Sequence, residues 1–247
     1  MSKLSTYRSA VDNLGLGGLF QRGIARRTAL GSSATIGTRW SDHALRVRGG
    51  TSDMAVFDQI FMEREYRCLD QVDGVRTIVD AGANVGYSSA YLLSRFTDAT
   101  VICLEPDKAN FAQLQRNLAP FGDRVTAVQG ALWSEPCTLN FKTETLADGK
   151  EWGRQVEQSG SGDVQAFDIP SVMKMVGFEE IHLLKIDIEG AERAVFSAPD
   201  LDWLRNVRNI VVELHGQECR SIFLDAIGDR YALSECGELT VCLSRSS

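Results

Sequence analysis

Val79-Asp80-Ala81-Gly82-Ala83-Asn84-Val85-Gly86 joins a short apolar run, Thr77-Ile78-Val79, to a segment where Val85, Ser89, Leu92, Leu93 and Phe96 follow a helical period. A strand therefore ends at Asp80 and a helix starts a few residues later. Gly82 and Gly86 let the backbone turn tightly and approach a ligand without side-chain clash. The spacing is G-x-x-x-G, with no lysine following. It is neither the dinucleotide fingerprint nor a phosphate loop, so it suits a ligand that needs close backbone contact but carries no pyrophosphate. Glycines at such a junction also serve purely structural turns.

Outward from this junction the alternation continues. Thr100 to Leu104 reads as a second strand, and Phe111, Leu114 and Leu118 mark a helix closed by Pro120 and Gly122. Arg124 to Val128, Leu183 to Ile186 and Asn209 to Leu214 are further strands, with a helix carrying Ala191, Ala194, Val195 and Ala198 between the last two. Tyr231 to Ser234 and Leu239 to Leu243 are expected to be a closing antiparallel pair. Strands alternating with helices predict a parallel sheet covered on both faces, with ligands outside the carboxyl ends of the strands. Phe141 to Asp168 is expected to be a long irregular insertion at that end, its Gly149 to Gly162 centre bearing Trp152 and Arg154. Before the sheet, Thr51-Ser52-Asp53 is expected to cap a helix over Met54 to Leu69, with Phe57, Phe61 and Tyr66 as core or as a lid. The first fifty residues are expected to be weakly structured, because Leu14-Gly15-Leu16-Gly17-Gly18 interrupts helix formation.

Three further strand ends carry chemistry. Glu105 follows the second strand, 25 residues after Asp80, where a carboxylate can accept both hydroxyls of a ribose. It is otherwise a solvated strand-end charge. With the glycine turn it indicates an adenosine-bearing ligand. In Lys185-Ile186-Asp187-Ile188-Glu189, the three charged residues alternate and share one side. A lysine buried between acids is costly unless the charges pair or act, and a structural ion-pair cluster is the plainer alternative. Glu213 and His215 share one side after the fifth strand; such a histidine is a candidate general base or a structural residue. Asp187, Glu213 and His215 could in principle hold a divalent cation, but no metal is assigned.

The chain has 247 residues, 44% of them hydrophobic, and a net charge of -7. Its first fifty residues carry 8 basic and 2 acidic side chains, a balance of +6, which leaves -13 for the rest. The acidic body disfavours nucleic acid and anionic membrane as partners. The Arg- and Ser-rich start has the composition of an organellar transit peptide. The plainer reading is a basic arm that lies over the acidic body or meets an anionic substrate. The longest uncharged stretch, Ala81 to Ser94, is 14 residues and too short to span a membrane. Six scattered cysteines without a C-x-x-C pair suggest buried thiols and a cytoplasmic location.

Five stretches in order, VDAGANVGYSSAYL, CLEPDKANFAQLQRNL, VQGALWS, LLKIDIEGAERAVF and IVVELHG, resemble the FkbM family of S-adenosylmethionine-dependent methyltransferases over roughly residues 75–216. TSDMAVFDQIFMEREY resembles the lead-in of many members. The resemblance implies a class I methyltransferase (Rossmann-like) α/β fold: a mostly parallel seven-stranded sheet whose last strand is antiparallel, with helices on both faces. A helical or irregular N-terminal extension and cap is expected over residues 1–70, its basic first fifty residues without a counterpart in the family, and the cofactor-binding domain over residues 71–247. It further implies that Asp80, Gly82, Asn84 and Gly86 line the methionine end of S-adenosylmethionine, that Glu105 holds the ribose and that Gly130 and Ala131 lie beside the adenine. Asp187 would sit near the transferring methyl, with Lys185 and Glu189 around it. The chain departs from the family at Phe167-Asp168-Ile169-Pro170, where many members have a Leu-Asp-Asp-like helix start.

The expected reaction is O-methylation of a small-molecule, sugar (glycan) or polyketide hydroxyl. Asp187 or His215 would act as base and Lys185 would steer or stabilise charge. Tyr66, Trp152, Arg154 and Glu189 are candidate acceptor contacts. The competing readings are a methyltransferase acting on RNA or protein and a non-catalytic adenosine-binding scaffold. The acidic body and the lack of an Asn/Asp-Pro-Pro-aromatic run speak against a nucleic-acid substrate. The oligomeric state stays open, a homodimer included.

Overall fold

The computed structural model describes residues 3–141, 156–158 and 162–245. Seven strands form the main sheet. In chain order they are β3 (Thr77–Ala81), β4 (Thr100–Leu104), β5 (Val125–Val128), β10 (Leu183–Ile186), β11 (Ile210–Glu213), β12 (Tyr231–Cys236) and β13 (Leu239–Ser244). Their spatial order is β12-β13-β11-β10-β3-β4-β5. Strands β5, β4, β3, β10 and β11 pair in parallel, and β13 is antiparallel to both of its neighbours. This is the class I methyltransferase arrangement. Chain order reverses between β3 and β10, and that switch point sets the ligand crevice.

Both sheet faces are buried, as continuous apolar strands require. Ile78, Val101, Leu183 and Val211 point into one core, shared with α3 (Tyr87–Arg95) and α4 (Lys108–Leu118). Their neighbours Val79, Ile102, Leu184 and Ile210 point into the opposite core. That second core is covered by α5 (Ile169–Val176), α6 (Glu192–Phe196) and α7 (Gln217–Ile227).

Residues 3–50 are ordered, contrary to the expectation from their glycines. Helix α1 (Lys3–Ala25) continues past Gly15, which kinks it at φ 68° instead of ending it. A hairpin follows, β1 (Ser33–Ile36) with β2 (Leu45–Arg48), and buries Ile36, Leu45 and Val47. Gly18 is needed for close approach, because a Cβ there would strike the Gly37 carbonyl oxygen. Asn13 fastens the arm: its amide donates to the Met62 carbonyl at 3.0 Å and its side-chain oxygen accepts from Trp40 Nε1 at 3.0 Å. Arg22 and Arg26 pair with Asp58 at 2.6 and 2.8 Å. Arg48 pairs with the buried Asp53 at 2.7 Å and reaches Asn110 of α4. The basic arm therefore lies over the acidic body.

The single helix expected over Met54 to Leu69 is broken into three pieces. These are α2 (Asp53–Phe57), a π turn over Asp58–Met62 and a 3₁₀ turn over Glu65–Leu69. Arg64 between them is left-handed, at φ 55°. Its guanidinium stacks over Trp40, 3.4 Å from the ring centroid, and pairs with Asp70 at 2.7 Å. Ser52 makes no side-chain cap; Thr51 Oγ1 accepts from the Asp53 amide instead.

The segment expected to be irregular, Phe141 to Asp168, contains two strands, which join two that precede it. β6 (Ala131–Leu132), β7 (Cys137–Phe141), β8 (Val156–Gln158) and β9 (Val164–Phe167) form a second sheet in the order β6-β9-β7-β8. Asp168 caps α5, accepting from the Ser171 amide at 2.9 Å. The Phe167-Asp168-Ile169-Pro170 departure thus still makes a helix start. Among the described residues no helix is long and apolar enough to cross a membrane.

Gly18→Ala is expected to lower stability by about 1–3 kcal/mol through overpacking against the hairpin. Urea unfolding measures it, and an unchanged midpoint would contradict the docking of the arm.

Candidate functional site

The strand register brings the chemistry to one level. Asp80 of β3 is opposite Lys185 of β10 on one side and Cys103 of β4 on the other. Beyond these ends lies a cavity of about 440 Å³, within the range of small-molecule sites.

At its floor is a buried ion pair. Lys185 Nζ lies 3.1 Å from Asp80 Oδ1, with 2% and 0% of the side chains exposed. The other Asp80 oxygen accepts from the Ser88 and Ser89 hydroxyls, each at 2.6 Å. Lys185 also donates to the Gly82 carbonyl at 2.7 Å. Burial opposes its charge, but Asp80 and Asp187 outweigh this and raise its pKa.

The glycine turn is pressed against the end of β10. Gly82 has φ 76°, and a Cβ there would occupy the Asp187 carbonyl oxygen, so glycine alone fits. Asn84 is also left-handed, at φ 49°, and its amide donates to Glu105 Oε2 at 2.9 Å. Glu105 Oε1 accepts from the Asp107 amide at 2.8 Å. Burial pushes the Glu105 carboxyl up to about 7, despite these two amides. Gly82, Asn84, Glu105, Gly130 and Ala131 all line the cavity.

Two residues expected to line it do not. Asp80 lies beneath the lining, held by Lys185 and the two serines. Gly86 precedes α3, and its missing Cβ would meet Leu114 and Leu118 of α4. Their contribution is to hold the lysine and to pack the two helices.

The other end of the cavity is strongly acidic. Asp187, Glu189, Glu213 and His215 come together there, with Glu65, Tyr66 and Glu238. His215 Nδ1 is 3.0 Å from the fully buried Glu192. Its Nε2 lies 3.4 Å from Glu189, 3.6 Å from Glu213 and 4.0 Å from Asp187. Burial would lower the His215 pKa, but the Glu192 hydrogen bond and the surrounding carboxylates raise it to about 9. At neutral pH this favours the protonated ring in the ligand-free chain. Burial, with mutual repulsion, pushes Glu189 and Glu213 each up to about 7. Burial also raises Asp187, against the pull of Lys185 and His215.

Tyr66 is buried, packs on Tyr91 and still lines the cavity. Trp152 and Arg154 lie outside the described residues. Sequence reading missed Glu65, Glu192 and Glu238. Glu192 stood in the quoted LLKIDIEGAERAVF stretch, three residues past Glu189. Glu65 and Glu238 carry no local signal; burial raises Glu65 to about 7.

The methyltransferase FkbM domain family matches residues 80–238. Methyltransferase sdnD of Sordaria araneosa is 31% identical over 191 residues, covering 64% of this chain and 73% of that protein. Methyltransferase 1 of Beauveria bassiana is 27% identical over 181 residues, covering 64% and 72%. Among solved structures, the O-methyltransferase from Bacillus cereus in complex with SAH matches with a TM-score of 0.46 and 15% identity, over 74% of this chain and 80% of that one.

Two outcomes follow from this geometry. Asp80→Asn removes the nearer of the two carboxylates around Lys185, leaving Asp187 at 3.9 Å, and is expected to cost about 3 kcal/mol in chemical denaturation; a loss below about 1 kcal/mol, the size of an exposed pair, would contradict a buried one. Hydroxyls donated to Glu105 favour its ionised form, so affinity for an adenosine ligand should rise with pH through about 7. Calorimetry should find about tenfold tighter binding at pH 8 than at pH 6, with the slope lost in Glu105→Gln. An equal slope in that variant would assign the effect to another group.

Proposed function

The chain belongs to the FkbM methyltransferase family, and from that premise we propose that it transfers a methyl group from S-adenosylmethionine to a hydroxyl oxygen of a small-molecule, sugar or polyketide acceptor. The observation that carries this reading is one cavity lined by Glu105 on one side and by Glu189, Glu213 and His215 on the other, with the Gly82 turn meeting Lys185 and Asp187 along it.

The residues present fit S-adenosylmethionine. Glu105 offers a carboxylate for vicinal hydroxyls, already oriented by two backbone amides. Gly130, Ala131, Leu132 and Ile188 offer backbone and apolar walls for a base. Gly82 offers a position without a side chain beside Asp187, and Asn84 a left-handed bend two residues on. When bound, the cofactor supplies a methyl group made electrophilic by its sulfonium.

The chain's residues then have two tasks. One is alignment, because displacement at a methyl carbon needs the acceptor oxygen in line with the bond that breaks. Lys185 serves this by fixing the Gly82 carbonyl and the end of β3. The other is removal of the hydroxyl proton, for which the carboxylates on this side are within reach of one another around His215. Val56, Ile60, Tyr66 and Phe141 add apolar surface for the acceptor. The acidic wall and the commitment of Arg22, Arg26 and Arg48 to Asp58 and Asp53 favour a small acceptor over a phosphate backbone.

His215→Ala is expected to lower turnover by about 10²–10⁴-fold while S-adenosylhomocysteine affinity changes less than threefold. Methyl transfer from labelled cofactor to small-molecule extract fractions, with calorimetry in parallel, measures both. A wild-type rate would remove His215 from the reaction. No transfer to any small-molecule fraction, with transfer to RNA or protein instead, would overturn the acceptor class.

A further inference from the structure

We propose that Asp187, Glu213 and His215 form a site for one divalent cation at the acceptor end of the cavity. The inference rests on the methyltransferase reading and deepens it, by naming what would hold the acceptor oxygen. One ligand atom from each of the three residues lies within 4.8 Å of the others. Ligands at about 2.0–2.2 Å from a shared ion stand about 3–4 Å apart, so small side-chain rotations close the set. Asp187 and Glu213 come from the ends of neighbouring strands β10 and β11, and His215 lies two residues beyond Glu213. The backbone thus fixes their spacing.

His215 is oriented as a ligand. Its Nδ1 is hydrogen-bonded to Glu192, which turns Nε2 toward the carboxylates. A metal-bound histidine takes this arrangement, with its second nitrogen on a carboxylate. Among the described residues, the three carboxylates around Nε2 approach it without a well-formed hydrogen bond. They surround a point more than they bond the ring. A second observation is independent of the cluster's spacing. Glu192 is fully buried, and its Oε2 has no hydrogen-bond partner. A buried carboxylate with one oxygen unpaired is costly unless positive charge stands close by, and a cation held at Nε2 would place such charge across the ring from it.

Oxygen and imidazole donors suit Mg2+, Mn2+ or Zn2+. Three protein ligands leave coordination positions open toward the cavity, where an acceptor hydroxyl would bind. The cation would also offset the excess of acid over base on this wall.

The test uses the full chain, freed of metal by a chelator and titrated with Mn2+ under electron paramagnetic resonance. Co2+ absorption reports the ligand set. One Mn2+ per chain at submillimolar concentration is expected. Glu213→Gln and His215→Ala should each weaken it at least tenfold, while Glu235→Gln, on the exposed strand β12, leaves it unchanged. The Co2+ spectrum should change in His215→Ala, and circular dichroism verifies folding. No saturable Mn2+ binding, or wild-type affinity in both site variants, overturns the cation site. S-adenosylhomocysteine binding is measured on the same samples. If it persists while Mn2+ binding fails, only the cation site falls; if the wild type binds no S-adenosylhomocysteine, the methyltransferase reading falls, whatever Mn2+ does.

Discussion

The contact between Lys185 and Asp80 sits where the sheet changes direction, and the site is assembled around it. Two oppositely charged side chains with almost no exposure occupy adjacent strands at their carboxyl ends. Such a pair is costly to desolvate and does little for stability on its own. Its value here is positional. The lysine's remaining donors reach the Gly82 carbonyl, and the carboxylate's remaining oxygen collects two hydroxyls from the first turn of α3. Strand, turn and helix are therefore tied to one charge, and the glycine turn cannot shift without breaking that network.

From that anchor the cavity takes two unlike ends. One is built from backbone: the Gly82 turn, the amides on Glu105 and the Gly130 bend. The other is built from carboxylates crowded about one histidine. A ligand with a sugar at one end and a cationic centre at the other matches this polarity. The lead-in segment lines one side of the cavity with Val56, Ile60, Glu65 and Tyr66, and it is held there by arm residues such as Asn13 and Arg22. The arm and the site are thus linked by packing, although they are far apart in sequence.

Much of this was legible in the sequence. Period-two and period-3.6 patterns are local, so the strand ends at Asp80, Leu104, Ile186 and Glu213 could be placed, and with them the residues that gather there. The parts that escaped depend on distant contacts. The glycine run of α1 looks like a helix breaker until the hairpin at Gly37 is packed against Gly18. The lead-in looks like one helix until Arg64 finds the Trp40 ring. Glu65 and Glu238 enter the cavity from elements whose position only the tertiary fold determines. Asp80 stood in the strongest local motif, yet it lies beneath the cavity lining, held by Lys185 and two serines.

The most direct measurement is a crystal structure of the chain with S-adenosylhomocysteine. The ribose hydroxyls should lie within hydrogen-bond distance of Glu105 and the sulfur should face Asp187, with the adenine beside Gly130 and Ala131. A nucleoside bound elsewhere on the protein, or reversed so that its adenine meets Asp187 and His215, would contradict the account.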